Sequence, residues 1–163
     1  MPPLRTSKAF LLDGYVDEPT ALGVPPYLSP YPRYVAGMLA CHGLEVTYFT
    51  ADQWRDDPAI GETLSAAPPS ALLVAVAGLT VPGHYKGGTP LSFSELTAIL
   101  STFPGTAVVG GPIRHGYTLT GGTRAMPLPD LLPALLARGD LDAFVSDLLE
   151  TGTVPGHRYH SFS

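Results

Sequence analysis

Seven consecutive apolar residues, Ala71 to Ala77 (ALLVAVA), constrain this chain more than any other feature. The run is too short for a buried helix, and turn-forming residues bound it on both sides. An uninterrupted apolar stretch of that length suits a strand covered on both faces, as parallel sheets require. Two shorter runs share its character. Lys8–Asp13 (KAFLLD) stops abruptly at Asp-Gly, and Thr106–Val109 stops at Gly-Gly-Pro. Glu45–Thr50 (EVTYFT) is rich in β-branched and aromatic residues and reads as another strand.

Helical patterns separate these strands. Tyr34 to His42 places Tyr34, Val35, Met38 and Leu39 on one face and stops at Gly43, a glycine cap. Cys41, near the end of that pattern, is expected to be small, inert and at least half-buried. Asp52 to Leu64 holds one or two short helical turns interrupted at Pro58. Ser92, with Glu95 three residues on, forms a capping box before Leu96, Ile99, Leu100 and Phe103. Asp140 caps a helix with Leu141, Phe144, Val145, Leu148 and Leu149 along one stripe. Leu131–Arg138 is compatible with a helix or a fifth strand. The strand reading is preferred because it keeps the βα repeat in register.

Strands alternating with helices predict an α/β fold. We expect a three-layer, Rossmann-like, flavodoxin-type parallel sheet of about five strands, with helices on both faces and with Lys8–Asp13 and Ala71–Ala77 in its middle. The chain has 163 residues, enough for one domain, and Gly and Pro number 18 each. They concentrate in long loops after the first, third and fourth strands. Ligands of such sheets sit beyond the carboxyl ends of the strands. The loop after the first strand carries five prolines with no helical period, and ordered loops of that length are usually functional.

Composition excludes several classes. Net charge is −5, and the nine Lys and Arg are scattered, so no basic stripe matches a nucleic-acid backbone. A single cysteine precludes an internal disulfide or a multi-thiolate cluster. No apolar run approaches membrane-spanning length and no leader pattern is visible, so no membrane partner is expected and the cytoplasm is the expected compartment. There is no GxGxxG after the first strand, no GxxxxGK[ST] and no GxSxG elbow. The five histidines form no metal-ligand spacing and read as loop or surface residues, with His84 and His115 on the candidate edge. Asp13, Asp17 and Glu18 follow the first strand, where they suit either a solvated loop or a contact to a ribose hydroxyl or cation. Gly110–Pro112 suits either a tight turn or a close approach of backbone to ligand.

Four segments carry a family resemblance: DGYVDEPTALGVPPYLSPYPRYVAGML, VAGLTVPGHYKGGTPLS, VVGGP and ARGDLDAFVSDLLETG. Together they resemble the N-terminal part of archaeal radical S-adenosylmethionine proteins, where a cobalamin-binding-like domain precedes the catalytic barrel. The resemblance spans nearly the whole chain. It implies a domain over residues 1–152 and a tail or linker over 153–163, leading to a catalytic domain that is this domain's own partner. It implies a non-catalytic accessory role, with cobalamin as the cofactor. The iron–sulfur cluster and S-adenosylmethionine would belong to the missing C-terminal domain, because this chain has no CxxxCxxC. Where related domains carry DxHxxG, this chain has Asp13-Gly14-Tyr15-Val16-Asp17, so histidine ligation of cobalt there is excluded. The competing readings are a free-standing enzyme or nucleotide-binding protein of the same fold, and an interaction module docking through loop 14–34.

The expected cleft lies between three groups: Asp13, Gly14 and Tyr15; Gly78, Thr80, Pro82 and Gly83; and Gly110, Gly111 and Pro112. Small residues at these strand ends are expected to leave room for a ligand, whose tail would run along the Gly-Gly-Pro turn. Gly111→Val is then expected to abolish binding at modest cost to stability, provided Gly111 has an ordinary φ.

Overall fold

In the computed structural model, residues 4–15, 30–78, 89–116 and 132–152 are described. The five strands are β1 (Lys8–Asp13), β2 (Glu45–Thr50), β3 (Leu72–Val76), β4 (Thr106–Gly110) and β5 (Leu135–Leu136). All pair in parallel in the order β2-β1-β3-β4-β5. This is the flavodoxin-type order, and it places β3 at the centre with β1 beside it, as their apolar runs predict. Every residue of β3 is buried. β5 has only two residues, paired with Val108 and Val109, so the strand reading of this ambiguous segment holds in its shortest form.

Alternation along the strands sorts the core into two layers. Ala9, Leu11, Val74, Val76 and Val108 face α1 (Pro30–Cys41) and α5 (Leu141–Thr151). Phe10, Leu12, Leu73, Ala75 and Val109 face the other way. There they meet α3 (Pro58–Ser65) and α4 (Phe93–Thr102), with α2 (Ala51–Asp56) at the layer's margin. The rings of Phe10 and Phe103 meet edge to face, 6.0 Å between centroids. No helix of the described residues is long and apolar enough to cross a membrane.

Several boundaries differ from expectation for identifiable reasons. α1 begins at Pro30, four residues before the expected Tyr34, because proline is tolerated in a first helical turn. Its buried stripe is Pro32, Val35 and Leu39, while Tyr34 is 60% exposed beside that stripe. Cys41 is also exposed. Two residues past Leu39, it has rotated by more than half a turn away from the sheet. Gly43 closes the helix at φ +79, as its glycine cap requires. The Asp57-Pro58 break separates α2 from α3, and the Asp57 carboxylate caps α3 by accepting from Ala59 N–H. Asp140 occupies the N-cap of α5, but its side chain makes no capping bond.

Candidate functional site

β1, β3 and β4 end side by side, and cross-strand hydrogen bonds stitch the ends together. Gly14 N–H donates to Val76 O (2.8 Å), Ala77 N–H to Gly110 O (3.0 Å) and Ile113 N–H to Ala77 O (3.1 Å). Leu91 N–H, just before α4, donates to Gly14 O (3.1 Å). The structure therefore brings Asp13, Gly14, Tyr15, Gly78, Gly110, Gly111 and Pro112 to one edge, where β1 and β3 form the topological switch point. Thr80, Pro82 and Gly83 lie outside the described residues, as do His84, Asp17 and Glu18.

Asp13 dominates this edge. It is the one buried charged side chain among the described residues, 2% exposed. Burying a carboxylate is costly unless donors surround it. Tyr15 N–H donates to Oδ1 at 2.9 Å, closing an Asx turn that bends the chain out of β1. The Tyr48 hydroxyl, from the neighbouring strand β2, donates to Oδ2. Sequence reasoning placed Asp13 at this edge but missed Tyr48. The available signal was the parity of β2, because Tyr48 pairs with Leu11 and so shares the sheet face of Asp13.

The glycines are small for internal reasons. A Cβ on Gly14 would stand 2.8 Å from Val76 O, and one on Gly110 would stand 2.8 Å from a Leu141 methyl. Gly111 has φ +93, and a Cβ there would stand 2.8 Å from Ala77 O. Only Gly78 faces ordinary contact, with the Tyr15 ring 3.4 Å away. The room that these glycines leave is thus taken by strand ends, by Leu141 and by Tyr15. Of the two readings of Gly110–Pro112, this favours the tight turn, which continues into a single 3-10 turn, Pro112–His115. The condition placed on Gly111→Val also fails, since valine at φ +93 strains the backbone whatever binds.

These observations bear on the cobalamin expectation. Where the tail of a ligand was expected along the Gly-Gly-Pro turn, the space at the Cβ positions of Gly110 and Gly111 is taken by Leu141 and Ala77. Among the described residues, no group of three His, Cys, Asp or Glu is placed to hold a metal ion.

Polar side chains from both sides complete the edge. Arg114 Nη1 donates to Gly139 O (2.9 Å) and its Nε to His115 Nε2 (3.2 Å), which ties the 3-10 turn to the start of α5. Burial pushes the Tyr31 phenol above its ordinary value, partly offset by a hydrogen bond to the Leu141 backbone. On the other face Arg55 reaches from α2 to α4. Its Nε and Nη2 meet Glu95 Oε1 and Oε2 at 2.7 and 2.9 Å, a bidentate pair. Nη1 also donates to Asp52 Oδ1 (2.5 Å) and Thr89 O (2.6 Å), and Nη2 to Pro90 O (3.2 Å). Glu95 simultaneously completes the Ser92 capping box. The guanidinium holds the Glu95 carboxyl down, from 4.5 to about 2. Arg55 thereby anchors residues 89–90, where the chain enters α4 from the candidate edge.

Comparison with known proteins returns two archaeal relatives. A stretch of 158 residues, 93% of this chain, is 34% identical to an uncharacterized protein of Methanocaldococcus jannaschii, of which it covers 28%. A stretch of 89 residues, 55% of this chain, is 54% identical to an uncharacterized protein of Archaeoglobus fulgidus, of which it covers 16%. The chain thus spans less than a third of the length of either relative. No family model and no solved structure matches.

Proposed function

We propose that this chain is a non-catalytic accessory domain of a longer protein of the radical S-adenosylmethionine type. Its carboxyl edge at β1 and β3 is the face turned toward the catalytic part. The observation that carries this reading is the packed edge itself. Asp13, Tyr15 and Gly78 lie together at the switch point, where the Tyr15 ring packs against Gly78 and protein atoms take the Cβ positions of the strand-end glycines. Such a packed edge suits contact with another part of the protein or control of access to it. The resemblance supplies the radical-enzyme context, and the small share of each relative that the chain covers supports a part within a larger protein.

The test is association in trans. The domain is titrated with the separately expressed remainder of its full-length protein, and binding heat is recorded. Saturable binding that falls roughly tenfold, about 1.4 kcal/mol, in Tyr15→Ala is the expected result. No binding, or binding indifferent to Tyr15 and Pro112 substitutions, refutes the docking role. A second reading, cobalamin held without a protein imidazole, is favoured by the switch-point position alone. Hydroxocobalamin added to the same domain decides it. A saturable absorbance change would install the cofactor reading in place of the first.

A further inference from the structure

A pocket of about 230 Å³ lies away from the candidate edge, on the opposite side of β2 from the Asp13–Tyr48 contact. Its floor is apolar: Phe10 and Phe49 from the sheet, Ile60 and Leu64 from α3. This is many times the volume of one water, so it is more than a packing void. It is also smaller than the space a drug-sized ligand needs, so it suits a single ring or a short branched chain.

Thr47, Tyr48, Gln53, Asp57 and Thr63 also line the pocket, and helix caps fix two of them, the exposed Gln53 and Asp57. Asp57 Oδ1 accepts from Ala59 N–H at 3.0 Å, which orients the carboxylate and leaves Oδ2 with no hydrogen-bond partner among the described residues. Gln53 Oε1 accepts from Thr50 N–H at 2.9 Å, which leaves its NH2 group as a donor. No Lys or Arg lines the pocket. Arg55, on the neighbouring helix, is already committed to Glu95, Asp52, Thr89 and Pro90. Asp56 and Glu62 are exposed on the same two helices and add negative potential. An apolar floor beside one oriented carboxylate matches a ligand with an apolar body and a positive end.

We propose that the pocket between β2 and α3 binds small apolar amines, cationic at neutral pH. The ring or alkyl body lies on Phe10, Phe49, Ile60 and Leu64, and the ammonium group meets Asp57. The Gln53 amide donates to any second polar atom of the ligand. The chain has one tryptophan, Trp54, on α2 and packed against the same core layer, so its fluorescence reports on this region.

The experiment uses 2-phenylethylamine as the probe, with phenylacetate and 2-phenylethanol as anionic and neutral controls. Trp54 emission and the backbone amide shifts of residues 45–65 are followed. Saturable binding of the amine is expected, about tenfold tighter than the alcohol and more so than the acid. Asp57→Asn keeps the capping hydrogen bond and removes the charge, so melting stays unchanged while amine affinity falls about tenfold. The proposal is overturned if no saturation appears near the roughly millimolar range of weak ligands. It is equally overturned if the acid binds as well as the amine, if Asp57→Asn binds normally, or if the shifts map elsewhere.

Discussion

Arg55→Met isolates the ion pair that holds α4 and residues 89–90 in place. Methionine keeps the aliphatic stem and deletes the guanidinium. A carboxyl lowered from 4.5 to about 2 corresponds to about 3 kcal/mol, with Arg55 as the largest cause and the Ser92 hydrogen bonds contributing the rest. Water reaches 22% of the Arg55 and 26% of the Glu95 side-chain surface, so screening reduces this to about 1–2 kcal/mol. Loss of the bonds to Thr89 and Pro90 carbonyls adds about 1 kcal/mol, because water replaces part of what is lost. The total, about 2–3 kcal/mol, lowers Tm by about 5–10 °C in a domain of this size. The pH dependence follows from the sign of the shift. Glu95 is depressed in the folded state, so its contribution is complete above pH 4.5 and disappears as pH falls toward about 2. The gap in Tm between wild type and Arg55→Met should therefore narrow by about half between neutral pH and pH about 2. Glu95→Gln, which retains the capping box, should lose less than Arg55→Met. Thermal melts followed by circular dichroism across that range provide the test. An Arg55→Met Tm within about 1 °C of wild type, or a gap that stays constant in acid, refutes the reasoning.

Three further outcomes are expected. Gly105→Ala should cost more than about 3 kcal/mol, because its Cβ would stand 2.2 Å from Ala71 O; Gly37→Ala, with nothing within 4 Å in α1, should stabilise by about 0.5–1 kcal/mol, and urea titration compares the two. Tyr48→Phe should cost about 1–3 kcal/mol by removing one hydrogen bond to the buried Asp13 carboxylate, and a melt indistinguishable from wild type would contradict that role. Native Cys41 should react with a thiol reagent without denaturant, and Cys41→Ala should shift stability by no more than about 0.5 kcal/mol.

What the sequence determined by itself is local. The bounds of β1 and β2 are legible because short runs of apolar or β-branched residues end at turn formers. The Ser92–Glu95 cap is legible because its partners lie three residues apart, and the Thr50–Gln53 box could have been read in the same way. The interior placement of β1 and β3 follows from burial, since a run apolar on both faces does not suit an edge, whereas the full order came from the structure. Tertiary structure alone decided the contacts between distant residues: Arg55 with Glu95, forty positions apart, and Tyr48 with Asp13, thirty-five apart. It also decided what the glycines at the strand ends are for. A missing side chain reads the same in sequence whether a ligand or the protein's own atoms occupy the space. Val76 O, Ala77 O and Leu141 occupy it here because the parallel strand ends and α5 close against one another. The pocket beside α3 was illegible for the same reason, being an open cleft between β1, β2 and two helices whose spacing no single segment encodes.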